Sequence, residues 1–133
     1  MSVKKPLHTV LCIDDEQDIR TLVKLVLERE GYRVLTAENG TVGLSVGRTE
    51  HPDIILLDVV MPTVSGHEVL RWLKADPATR DIPVIMLTAL GTDHDMSASL
   101  HLGAVYHMEK PYQSKELIDE IKLALWKRQT AND

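Results

Sequence analysis

Four short apolar runs constrain this chain more than any other feature: Val10-Leu11-Cys12-Ile13, Ile54-Ile55-Leu56-Leu57, Val84-Ile85-Met86-Leu87 and the weaker Ala104-Val105-Tyr106-His107-Met108. Each is of strand length, continuous rather than alternating, and bounded by polar or turn residues. That is the pattern of parallel strands covered on both faces. A fifth run, Tyr32-Arg33-Val34-Leu35-Thr36, alternates and comes directly after Gly31, which predicts an edge strand.

Helical periodicity fills the intervals. Ile19, Leu22, Val23, Val26 and Leu27 form one apolar stripe ending at Gly31. Ser65 and Glu68 have capping-box spacing before a helix carrying Val69, Leu70 and Leu73, which Asp76-Pro77 should end. Ser114 is placed to cap a last helix with the stripe Leu117, Ile118, Ile121, Ala124 and Leu125. Two further helices are expected over Gly40 to Arg48 and His94 to Leu102. The first carries Gly43 and Gly47, each costing about 1 kcal/mol relative to Ala. Strands alternating with helices predict an α/β fold, a parallel sheet with helices on both faces, and right-handed crossovers bring all strand C-termini to one edge.

The 133 residues suffice for one domain and exclude a two-domain enzyme within this sequence. Fifteen Lys and Arg stand against 20 Asp and Glu, a net charge of -5, and the basic residues are scattered, which argues against nucleic-acid binding. Cys12, the one cysteine, excludes an internal disulfide and reads as a buried structural thiol in a reducing compartment. No stretch approaches the roughly 20 apolar residues of a bilayer span, so the expectation is a cytoplasmic protein without membrane contact. Residues 1–8 read as an N-terminal extension, 9–128 as the domain and 129–133 as a polar tail.

The chemistry lies in the residues just beyond each buried run. Asp14-Asp15-Glu16 come after the first, Asp58 after the second, Thr88-Ala89 after the third and Glu109-Lys110-Pro111 after the fourth. In a doubly wound sheet these positions converge at the C-terminal edge, where ligands bind. Clustered carboxylates repel one another unless a cation neutralises them, and with no His or Cys at these ends a hard ion such as magnesium suits the donors better than zinc. Lys110 and Thr88 can neutralise and hydrogen-bond a phosphoryl oxygen, which completes a parts list for phosphoryl transfer. Asp58 is then the candidate nucleophile, forming an acyl phosphate. Any one of these residues alone would read as a solvated strand end.

Together they resemble the response-regulator receiver domain. The resemblance rests on Leu11 to Glu16, Leu56 to Pro62, Ser65-Gly66, Val84 to Ala89, Gly103-Ala104 and Lys110-Pro111, and runs from about Thr9 to Arg128. It implies a flavodoxin-like doubly wound sheet of five parallel strands, order 2-1-3-4-5, with five helices. It implies that Asp58 is phosphorylated by a sensor histidine kinase or a histidine phosphotransfer protein. Asp14, Asp15, Asp58 and the Val60 carbonyl would hold Mg2+, Lys110 would pair with the phosphoryl oxygens, and Thr88 would move toward them. The switch would remodel the face of helix 4, strand 5 and helix 5 for a downstream protein or a second copy.

Some positions depart from that family's commonest pattern. The switch residue is His107 rather than Tyr or Phe, either a tolerated ring or one whose protonation biases the switch. Tyr106 points to the opposite face. Val60 and Leu90 are apolar where the family tunes phosphate lifetime, which implies slow self-dephosphorylation or neutral variation. His94 and His101 read as solvated, Trp72 as half-covered, and Leu123 with Trp126 as either a partner patch or simple edge burial. The rival readings are an inactive receiver-like binding module and a carboxylate-nucleophile phosphatase, though Val60 stands where a phosphatase would want an acid. The main reading is a regulatory domain that catalyses only its own phosphorylation and dephosphorylation. Its length matches either a stand-alone regulator or a receiver cut from a longer one.

Overall fold

The structure, a computed structural model, describes residues 8–88 and 93–131, with side chains throughout except at 93–95. Elements alternate in chain order: β1 (Thr9–Ile13), α1 (Gln17–Arg29), β2 (Arg33–Ala37), α2 (Gly40–Glu50), β3 (Ile54–Asp58), α3 (Gly66–Ala75), β4 (Val84–Thr88), α4 (Asp93–His101), β5 (Tyr106–Glu109) and α5 (Ser114–Ala131). The strands form one parallel sheet, as the alternation predicted, in the order β2-β1-β3-β4-β5 that the resemblance implied.

Because successive strand residues face opposite ways, each apolar run feeds two cores. Val10, Cys12, Ile54, Leu56, Ile85, Leu87 and Met108 meet Val23 and Leu27 of α1 and Leu117, Ile121 and Leu125 of α5. Leu11, Ile13, Ile55, Leu57, Val84 and Met86 meet Val69, Leu70 and Leu73 of α3 on the other face. Such double coverage explains why β3 and β4 are buried along their whole length. Each fully buried aliphatic side chain contributes about 1.5–3 kcal/mol.

Element ends obey local chemistry. Asn39, which the apolar pattern did not single out, caps α2 by accepting a hydrogen bond from the Val42 amide at 2.9 Å. Ser65 caps α3 by accepting from the Glu68 amide at 3.3 Å. The capping box is only half made, because the Glu68 carboxylate pairs with Arg71 at 3.1 Å. Strand β2 begins one residue later than expected, with Tyr32 buried ahead of it. β5 starts at Tyr106 rather than Ala104, although the Val105 amide already bonds the Val84 carbonyl at 2.9 Å. Beyond Arg128, α5 continues through Ala131. On β5, Tyr106 is exposed and His107 buried, as alternation demands.

α2 forms despite its glycines because they let it lie against the sheet. A Cβ on Gly43 would collide with Ile13 Cδ1 and stand 2.8 Å from its Cγ1. No helix among the described residues is long and apolar enough to cross a membrane.

Candidate functional site

The strand order places the reversal of direction between β1 and β3, and the sheet's C-terminal edge opens there as a crevice. Asp14 leaves β1 with its amide bonded to the Ala37 carbonyl at 3.1 Å, and Asp58 is the last residue of β3. Both are buried, whereas Asp15 and Glu16 are exposed. Thr88 ends β4 fully buried. Its carbonyl accepts the Lys110 amide at 2.6 Å, so the end of β4 fixes where the lysine leaves β5. The Lys110-Pro111 peptide is cis.

These residues meet at the lysine head. Lys110 Nζ donates to Asp14 Oδ2 at 3.2 Å and lies 3.7 Å from Asp58 Oδ1. Asp58 Oδ1 also accepts the Val60 amide at 3.3 Å, and Asp14 Oδ1 the Glu16 amide at 2.9 Å. Behind Asp58 the chain turns tightly. The Gly66 amide bonds the Val59 carbonyl at 2.8 Å, and a Cβ at Gly66 would strike the Asp58 carbonyl oxygen, so the start of α3 is pressed against the strand end.

Burial pushes the Asp58 carboxyl up to about 6; Lys110 pulls it down, Asp14 and Asp15 push it further up, and the Val60 amide opposes them. Burial also pushes the Cys12 thiol up to about 12 and, with nearby carboxylates, the Tyr112 phenol to about 12.

The donor set fits a hard divalent cation. Asp14, Asp15 and Glu16 each have a carboxylate oxygen within 4.8 Å of the others, Asp58 shares the Lys110 ammonium with Asp14, and every donor is oxygen. Glu16, part of the acidic run but given no role by the sequence, joins this group. Arg20 carried no sequence signal either: its Nη1 donates to the Asp14 carbonyl at 2.7 Å and holds the β1–α1 turn. A lone arginine six residues from its acceptor matches no sequence pattern. Leu90, and the side chain of His94, lie outside the described residues; His101 and Trp126 are exposed and Trp72 is half-buried.

Beside Lys110 an apolar groove of about 410 Å3 runs between α1 and the start of α5, lined by Ile19, Leu22, Val26, Pro111, Tyr112 and Leu117 among others. On the opposite flank, Met96 and Leu100 of α4, Val105 and Tyr106 at β5, and Leu123 and Trp126 of α5 are exposed.

Comparison with known proteins agrees with this geometry. A family model for the response regulator receiver domain matches residues 10–122. The phosphate regulon transcriptional regulatory protein PhoB of Pseudomonas aeruginosa is 42% identical over 117 residues, covering 88% of this chain and 51% of that protein. The alkaline phosphatase synthesis transcriptional regulatory protein PhoP of Bacillus subtilis is 38% identical over 122 residues, 92% of this chain and 50% of its own. The chain thus spans about half the length of these curated relatives. Among solved structures, chemotaxis protein CheY4 of Vibrio cholerae superposes with a TM-score of 0.83 at 28% identity, covering 87% of this chain and 97% of its own. The receiver domain of a signal transduction histidine kinase from Syntrophus aciditrophicus gives 0.82 at 33% identity, over 90% of this chain and 91% of that one. With its five-stranded 2-1-3-4-5 sheet and acidic crevice, the chain belongs to the response regulator receiver domains of two-component systems.

Proposed function

We propose that Asp58 is the phosphoacceptor of this domain and takes a phosphoryl group from the phosphohistidine of a sensor kinase or phosphotransfer protein in the cytoplasm. The observation that carries the reading is the buried Asp58 carboxylate beside Lys110 Nζ, at 3.7 Å. A carboxylate oxygen attacks phosphorus, the bond from phosphorus to the donor's ring nitrogen breaks, and an acyl phosphate remains on Asp58. Lys110, held by Asp14 and by the backbone of β4, neutralises the phosphoryl oxygens. The Thr88 hydroxyl, at the end of the neighbouring strand, supplies a hydrogen bond to them. Asp14, Asp15, Asp58 and the Val60 carbonyl are the residues that would hold Mg2+, with Glu16 within reach; the ion supplies charge neutralisation.

The groove between α1 and α5 opens beside Lys110 and is apolar, which suits the side of a donor helix presenting its histidine to Asp58. The exposed apolar residues of α4, β5 and α5 suit an output face for a downstream protein or a second copy.

Intact mass after incubation with Mg2+ and acetyl phosphate tests the reading. One phosphate adduct, absent without Mg2+ and absent in Asp58→Ala, is the expected result. An unmodified native protein that also fails to bind Mg2+ would instead favour a constitutive binding module.

A further inference from the structure

Ser99 of α4 is fully buried, and its hydroxyl oxygen stands 2.9 Å from His67 Nε2 and 2.9 Å from His107 Nδ1. The three residues come from three elements, α3, α4 and β5. We propose that this His67–Ser99–His107 chain is a relay that links the segment behind Asp58 to the switch position on β5 by a route separate from Thr88, with Ser99 as its positioning residue.

A hydroxyl has one proton to donate, so a serine bonded to two ring nitrogens must receive an N–H from at least one of them. When Ser99 donates to His107 Nδ1, His67 Nε2 carries the proton; when it donates to His67, His107 Nδ1 carries it. Turning the hydroxyl proton from one ring to the other therefore reverses both bonds while both are kept, and the rings behave as a pair. Burial of the central hydroxyl strengthens the pairing, since breaking either bond leaves polar atoms in a low-dielectric site.

His67 is the second residue of α3. Its neighbour Gly66 is packed on the Asp58 carbonyl and bonded to the Val59 carbonyl at 2.8 Å. A shift of the β3–α3 segment therefore moves His67 directly, and through Ser99 it reaches α4 and His107. The relay also gives position 107 a use for a nitrogen-bearing ring: turning His107 breaks the contact that ties β5 to α4.

The inference rests on phosphorylation of Asp58. Its test is the ring-nitrogen NMR signature of the two histidines at one fixed pH, before and after phosphorylation confirmed by intact mass. In the native protein, phosphorylation is expected to change the signals of His67 and His107 together. In Ser99→Ala, phosphorylated to the same extent, His67 should still respond while the part of the His107 response that passes through Ser99 is lost; Ser99→Cys, which fills the same space with a weaker hydrogen-bonding group, should reduce that part. A His67 response that is absent in the phosphorylated native protein, or a His107 response that persists unchanged in both variants, overturns the relay. Should the native protein take up no phosphoryl group, the phosphoacceptor reading of Asp58 fails and the relay is judged on the unphosphorylated chain. There, His107→Phe must change the His67 ring signals in the native background and leave them unchanged with Ser99→Ala; any other pattern overturns it.

Discussion

Asp58 carries opposing demands within a single side chain. Burial raises its carboxyl to about 6, above the ordinary carboxylate value, so the folded chain holds this proton more tightly than the unfolded chain. Between about pH 4 and 6 the folded state therefore binds more protons, and stability falls as pH rises through that window. Asp58→Asn is expected to be more stable than the native protein at pH 7.5 in metal-free buffer, on the order of 1–2 kcal/mol. The difference should close near pH 4. Urea unfolding at both pH values measures it, and a variant that is less stable at pH 7.5 contradicts the burial argument. Cys12 gives a second prediction. With its thiol pushed up to about 12 beneath the site, it should resist alkylation at pH 8 until the chain unfolds; rapid labelling of the native protein would contradict that. Asp14, Asp15, Asp58, Thr88 and Lys110 were legible in the sequence because each comes just after, or ends, a buried run, and a parallel sheet collects such positions at one edge. Ser99 and His67 were not legible, since their contacts join three elements and obey no period.

Among the helices and strands, α2 shows propensity yielding to packing. Its glycines argued against a helix, yet Gly43 is where α2 comes closest to β1, with Ile13 filling the space a side chain would need. Gly43→Ala should gain about 1 kcal/mol of helix propensity but lose about 1–3 kcal/mol to overpacking. A net loss is expected, largely recovered when Ile13→Val is added. Equilibrium unfolding of the two single variants and the double variant tests this, and a stabilising Gly43→Ala would show that β1 and α2 separate without cost. Strand centres were legible from apolar runs alone, whereas ends were set by single contacts. β5 begins late because the Ala104 amide still bonds the Ser99 carbonyl of α4 and only at Val105 does the chain reach β4, and the α2 start depends on the Asn39 side chain. The polar composition after Arg128 hid three further helical residues, since an exposed helix end needs no apolar stripe.

Across the fold, an acidic crevice lies between an apolar groove on the α1 and α5 side and an exposed apolar flank on α4, β5 and α5. That layout suits a domain that receives a phosphoryl group at one place and presents the result at another. Val60, half-exposed beside Asp58, has no polar side chain to orient an attacking water. The acyl phosphate should therefore decay slowly, and Val60→Gln should decay faster; loss of the adduct over time, read by intact mass, measures both. A native adduct that disappears as fast as that of Val60→Gln would remove the role given to Val60. Everything proposed for the domain depends on one buried carboxylate becoming an acyl phosphate. Borohydride reduces such an anhydride to the alcohol, so treating the phosphorylated protein and sequencing its peptides by mass spectrometry locates the modified residue. Homoserine is expected at position 58 and at no other aspartate; reduction at Asp14 or Asp15, or none in a protein that carries the phosphate adduct, would contradict the assignment of Asp58.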